Sequence, residues 1–117
     1  MIGLGIEIVD LEEFRERWTD GRRTEWFTEG ETGYADSQAR SMEHFAARFA
    51  AKNAAKMALG EPDLDWREIE VVRGPTGSAG LEFSGSARAA AERRGVQACH
   101  LSLSHTRRSA AAVVILS

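Results

Sequence analysis

An α+β fold is predicted by three features of the chain. It opens on a run that alternates apolar residues with small or polar ones (Ile2 to Val9), carries an uninterrupted alanine-rich helix in its middle, and closes on two further alternating runs. The order βαα–β–β–α–ββ places one long helix against an antiparallel sheet. At 117 residues the chain is expected to form one domain over 1–117, with a core large enough to fold and small enough to gain from oligomerisation.

Along Ile2–Val9, Ile2, Leu4, Ile6 and Ile8 point one way and form the expected buried face. Gly3, Gly5, Glu7 and Val9 point the other way, and the two glycines leave room beside the Glu7 carboxylate for a ligand or another backbone. Asp10 then caps a short helix, with Glu13 three residues on as in a capping box, and Leu11, Phe14 and Trp18 form its apolar side. Residues Thr19 to Glu31 are polar and charged, with Gly21, Gly30 and Gly33 nearby, so a loop is expected around Trp26 and Phe27.

The long helix is predicted from Ser41 to Leu59, where Gly60 can stop it in the left-handed conformation. After the Glu61-Pro62-Asp63 break, Trp66–Arg73 reads as a strand with Ile69 and Val71 inward, and residues 74–80 as a turn into a short strand, Leu81–Phe83. A second helix spans Ser86–Arg94, capped by Ser86 and ended by Gly95. Ala98–His105 and Ala110–Leu116 form an antiparallel pair, with Cys99, Leu101, Leu103 and His105 on one face and His105 at the strand end.

On the long helix, rows spaced by four share a face. Arg48, Lys52 and Lys56 make a basic stripe whose edge would offer three cations to an anion. Phe45, Phe49 and Met57 make an apolar row into which Asn53 is inserted, and alanine fills the remaining rows. The net charge of −3 argues against general nucleic-acid binding and suits a small polyanion or a locally met acidic partner. No apolar run reaches the roughly 20 residues needed to cross a bilayer, and without a charged leader no secretory signal is expected. One cysteine, Cys99, excludes an internal disulfide and fits a cytoplasmic setting. That cysteine and three histidines at unrelated spacings make no zinc site.

Four segments in order carry a resemblance: Gly3-Leu4-Gly5-Ile6-Glu7-Ile8-Val9-Asp10, Phe27-Thr28-Glu29-Gly30-Glu31 with Tyr34, Phe45 to Gly60, and Leu101-Ser102-Leu103-Ser104-His105-Thr106 followed by Ala110–Val114. Together they resemble the small bacterial holo-acyl-carrier-protein synthases of the 4′-phosphopantetheinyl transferase superfamily, over nearly the whole chain. The resemblance implies that family's fold, a homotrimer with sites at subunit interfaces, and transfer of the 4′-phosphopantetheine arm of coenzyme A to a serine of an acyl carrier protein, with Mg²⁺. It places Arg48, Lys56, His105 and Thr106 on coenzyme phosphates, with Lys52 completing the basic stripe. Glu7 stands at the first-strand metal position, where the family has aspartate. Asn53 stands where the family has the helix acid, and an amide is no base and a weak metal ligand. In the 74–80 turn, Gly74 and Ala79 replace the family's acid and proline.

Three readings compete on these residues. One is an attenuated transferase, with Glu7 and either Glu43 or Asp10 holding Mg²⁺. Another is a repurposed cyclase or isomerase that moves protons on a polyketide-like chain with Glu7, Asn53 and His105 and no metal. The third is a non-catalytic protein that grips acyl carrier protein through the basic stripe.

Overall fold

Alanine and glycine set the architecture by letting backbones meet. A computed structural model describes residues 1–117 as β1 (Gly3–Asp10), α1 (Leu11–Arg17), α2 (Asp20–Trp26), α3 (Glu29–Asp36), α4 (Ser41–Leu59), a 3-10 turn (Trp66–Glu68), β2 (Ile69–Arg73), β3 (Ala79–Phe83), α5 (Gly85–Arg93), β4 (Cys99–His105) and β5 (Ser109–Leu116). The strands form an antiparallel sheet in the order β1-β5-β4 and a separate β2–β3 hairpin. Helix α4 lies across the inner face of β1 and β5. It ends where predicted, at Gly60 with φ of 71°. Ala50, Ala54 and Ala58 pack there with Ala112, Val114 and Leu116, all buried. A second, aromatic core joins Phe14, Trp26, Phe27, Phe45 and Phe49 beneath α1 to α3.

The predicted orientation of β1 is reversed. Leu4, Ile6 and Ile8 are 44%, 51% and 69% exposed, and the glycine and Glu7 face turns to α4. Close approach explains the reversal. A Cβ on Gly5 would lie 1.8 Å from the carbonyl oxygen of Ala54, and one on Gly3 2.1 Å from that of Ala58. The smaller face of the strand therefore admits the helix backbone, and the branched face is left on the outside.

The loop expected over Thr19–Glu31 is two helices instead. Thr19 accepts the amide hydrogen of Arg22 and caps α2. Thr28 and Glu31 form a reciprocal capping box that starts α3. These caps supply partners for the exposed first-turn amides, and burial of Trp26 and Phe27 in the aromatic core fixes the helices. Two smaller differences concern 66–94. Trp66–Glu68 is a 3-10 turn before the strand. Ser86 does not cap α5; its amide donates to the Glu68 carboxylate at 2.6 Å, and the N-cap position falls on Ser84.

Candidate functional site

Packing of β1 on α4 brings Glu7 and Asn53 together. Two residues along a strand (about 6.7 Å) match four along a helix (about 6 Å). With Gly3 over Ala58 and Gly5 over Ala54, Glu7 thus arrives beside the turn that carries Asn53. Both line a cavity of roughly 230 Å³ with Asp10, Glu13, Arg17 and Phe49. Asn53 also lines a neighbouring cavity of roughly 410 Å³, whose wall includes Lys56, Met57 and Trp66. The Lys56 ammonium sits 3.4 Å from the centre of the Trp66 ring, and Trp66 stacks on Phe49 at 4.9 Å. Burial holds the Lys56 amine below the usual lysine range.

A third cavity, of roughly 320 Å³, lies between α4, the β2–β3 hairpin and β4. His44, Arg48, Arg73, Ser78 and His105 line it. The Arg48 and Arg73 guanidinium carbons lie 4.3 and 4.9 Å from the Tyr34 ring centre, which holds both cations near one aromatic group. Arg48 is 2% exposed and its Nε is buried without a hydrogen-bond partner. Burial also pushes its guanidinium below the usual range. His105 Nδ1 lies 2.9 Å from Glu43 Oε1. The His44 ring meets His105 edge-on at 4.8 Å, and burial, followed by the charges of His105 and Arg48, holds the His44 imidazole below its ordinary value. This cavity shares no lining residue with that of Glu7 and Asn53.

Two sequence expectations are corrected here. The basic stripe is not an open edge, because Arg48, Lys52 and Lys56 are all buried. Lys52 is 0% exposed and lines none of the three cavities; its ammonium pairs with Glu31 at 2.5 Å and donates to the Trp66 carbonyl at 2.9 Å. Glu31 also accepts the amides of Thr28 and Val71, so this lysine ties α3, β2 and the 3-10 turn to α4 rather than facing a ligand. Glu43, considered as a metal ligand, is engaged with His105 and lies nearly three helical turns from Asn53. Thr106 is exposed at the β4–β5 turn, where its hydroxyl oxygen accepts the amides of Arg108 and Ser109.

Sequence reasoning missed Arg73, His44 and the role of Glu43. Arg73 had a signal, since it continues the inward row of Ile69 and Val71. The other two depend on β4 crossing the start of α4, which no local pattern encodes.

The donor chemistry does not fit a tightly held Mg²⁺. Mg²⁺ prefers carboxylates, phosphates and water in an octahedron. Glu7, Asp10 and Glu13 all line this cavity beside the neutral amide of Asn53, but they are not gathered into one ligand set, and the Asp10 carboxylate accepts the Glu13 amide at 3.0 Å. No group of three or more His, Cys, Asp or Glu side chains is placed to hold a metal.

Comparison with known proteins agrees with this fold. The family model described as the 4′-phosphopantetheinyl transferase superfamily matches residues 3–114. A holo-[acyl-carrier-protein] synthase of Koribacter versatilis (strain Ellin345) is 38% identical over 122 residues, covering 99% of this chain and 98% of the relative. One from Salinispora arenicola (strain CNS-205) is 41% identical over 118 residues, covering 98% and 97%. Among solved structures, the holo-(acyl-carrier-protein) synthase of Bacillus anthracis str. Ames in complex with CoA (3′,5′-ADP) superposes with a TM-score of 0.79 at 30% identity, covering 98% of this chain and 95% of that one. The acyl carrier protein synthase of Mycobacterium tuberculosis gives 0.74 at 33%, covering 99% and 96%. The α+β arrangement, the full-length match and the shared segments place the chain in the 4′-phosphopantetheinyl transferase superfamily, among the holo-[acyl-carrier-protein] synthases.

Proposed function

We propose that the protein binds coenzyme A and transfers its 4′-phosphopantetheine arm to a serine of an acyl carrier protein at a strongly attenuated rate. The observation that carries this reading is the carboxamide of Asn53 on the wall of the Glu7 cavity. In the transfer, the serine oxygen forms a bond to the β-phosphorus of the coenzyme as adenosine 3′,5′-bisphosphate leaves, and the serine proton must go to a base. An amide cannot take it. Loss of a positioned base lowers rates by about 10² to 10⁴, with water left to accept the proton.

Capture of the phosphates is assigned to Arg48, Arg73 and His105, with Lys56 nearer to Asn53. The Glu7 and His105 cavities are separate within one protomer, which favours a site completed by a neighbouring copy. The outer sheet face suits that neighbour. Leu4, Ile6 and Ile8 on β1 stand opposite Ile115, Val113 and Ala111 on β5, forming an apolar surface that a trimer would cover. The relatives' named substrate supports acyl carrier protein as partner, and a single free cysteine, Cys99, fits a reducing cytoplasmic setting. The two competing readings have less support. The relatives are named for carrier-protein synthesis, which a metal-free proton shuttle leaves unexplained, and the carrier-gripping stripe needs Arg48 and Lys52 at the surface, whereas both are buried.

The test is the intact mass of an apo acyl carrier protein incubated with coenzyme A, Mg²⁺ and the protein, beside its Asn53→Glu variant. We expect slow modification by the unaltered protein and a gain of about 10²-fold or more in the variant. Equal rates for the two would overturn the assignment to residue 53.

A further inference from the structure

We infer that Glu43 is a positioning residue: it fixes the His105 ring so that Nε2 is left for an anionic ligand in the cavity of Arg48 and Arg73. This inference rests on the coenzyme-binding reading above. Glu43 lies in the first turn of α4, where the helix dipole favours a negative charge and where Arg40, at the N-cap position, makes no side-chain cap. Its side chain is 6% exposed, so its oxygens require partners. Oε1 faces His105 Nδ1 at 2.9 Å, and Oε2 lies 3.7 Å from Arg40 Nε.

An ionised carboxylate only accepts, so the hydrogen between the two groups belongs to Nδ1. That fixes the tautomer and leaves Nε2, on the opposite side of the ring, as the free nitrogen. Nε2 can then share a hydrogen with a phosphate oxygen, donating it as the N–H of an imidazolium or accepting it from a monoprotonated phosphate. The ring is also confined sideways, with His44 edge-on to His105 at 4.8 Å and Tyr34 edge-on to His44 at 5.6 Å. The same cavity is lined by Arg48, whose buried Nε has no partner within the chain. A buried donor left unmade is costly, and a phosphate oxygen would satisfy it. Carboxylate, oriented imidazole and two guanidiniums around one tyrosine thus form a preorganised receptor for a phosphate ester, such as those of adenosine 3′,5′-bisphosphate. A purely structural tie between α4 and the β4–β5 turn would use the same hydrogen bond, so the experiment must separate the two.

The test measures binding of adenosine 3′,5′-bisphosphate by calorimetry to the unaltered protein, Glu43→Leu, Glu43→Gln, His105→Ala and the Glu43→Leu/His105→Ala double variant. Imidazole nitrogen shifts are read by NMR in the first three, and thermal unfolding serves as a folding control. Glu43→Leu should weaken binding by about tenfold, the size of one charge-assisted hydrogen bond, and leave His105 as a mixture of tautomers. Glu43→Gln, whose amide oxygen can still accept from Nδ1, should recover most of the loss. In the His105→Ala background, Glu43→Leu should cost nothing further. Equal losses with and without His105, or no loss at all, would overturn the inference. Absence of binding by the unaltered protein with Nδ1–H fixed would remove the coenzyme reading and leave Glu43 as the group that orients His105. A tautomer mixture in the unaltered protein would overturn this inference even with ligand bound.

Discussion

The amide of Asn53 and the ammonium of Lys52 are adjacent in sequence and have opposite fates. Asn53 is half-buried on a cavity wall, whereas Lys52 is fully enclosed against Glu31 and the Trp66 carbonyl. Burial holds the Lys52 amine below the ordinary lysine range, and Glu31 opposes that shift. Removing one member of such a pair leaves an uncompensated buried charge, at a cost of about 3–5 kcal/mol. Lys52→Met should therefore destabilise the protein by that order in denaturant unfolding. Adding Glu31→Gln should return part of it, since the amide removes the orphan charge and can still accept from Val71. A double variant no more stable than Lys52→Met would show that the pair is not coupled as described. Residue 53 has no such structural duty. Its substitution by glutamate is expected to change chemistry with little change in stability.

Helix α4 and strand β1 meet at backbone distance, which neither element's own propensity requires. Glycine within a strand weakens it, and alanine buries little area. The compensation is contact between the Gly3 and Gly5 positions and the Ala54 and Ala58 carbonyls. Gly5→Ala would place its methyl 1.8 Å from a carbonyl oxygen, so strand and helix must separate. Overpacking of this kind costs about 1–3 kcal/mol. The same displacement would carry Glu7 away from residue 53. In an Asn53→Glu background, Gly5→Ala should lower the transfer rate gained at residue 53, measured again by carrier mass. An unchanged rate would mean that strand position does not set the site.

Across the whole molecule, the apolar outer sheet face is the largest feature left without a partner. Ile8, 69% exposed, Ile6, 51%, and Leu4, 44%, form a row on one strand. The proposed trimer would cover this face, since contiguous exposed apolar surface is the kind that interfaces bury. With the proposed trimer built on this face, Ile6→Glu should leave the protomer folded and give monomers in analytical ultracentrifugation where the unaltered protein gives trimers. A monomeric unaltered protein would remove the interface, and with it the completion of the Glu7 site by a second copy. The variant should also lose residual transfer if His105 and Glu7 act from different subunits.

The sequence alone determined α4 with its ends, the β4–β5 pair and the presence of β1, because those depend on spacing within one segment: alanine runs, a stopping glycine, period-two alternation. Through the resemblance it also singled out Glu7 and Asn53, since the motif around each is local. Tertiary structure alone decided which face of β1 is inside, because a two-residue period defines two faces without ranking them, and only the approach of α4 selects the glycine side. The same limit explains the basic stripe. Helical spacing places Arg48, Lys52 and Lys56 in one row, but whether that row meets water depends on Glu31, Tyr34 and Trp66 folding over it. The threonine caps of α2 and α3 were visible as residues, yet the helices form because Trp26 and Phe27 are buried against Phe14, Phe45 and Phe49. Burial and pairing are properties of contacts between distant segments, and no local pattern encodes them.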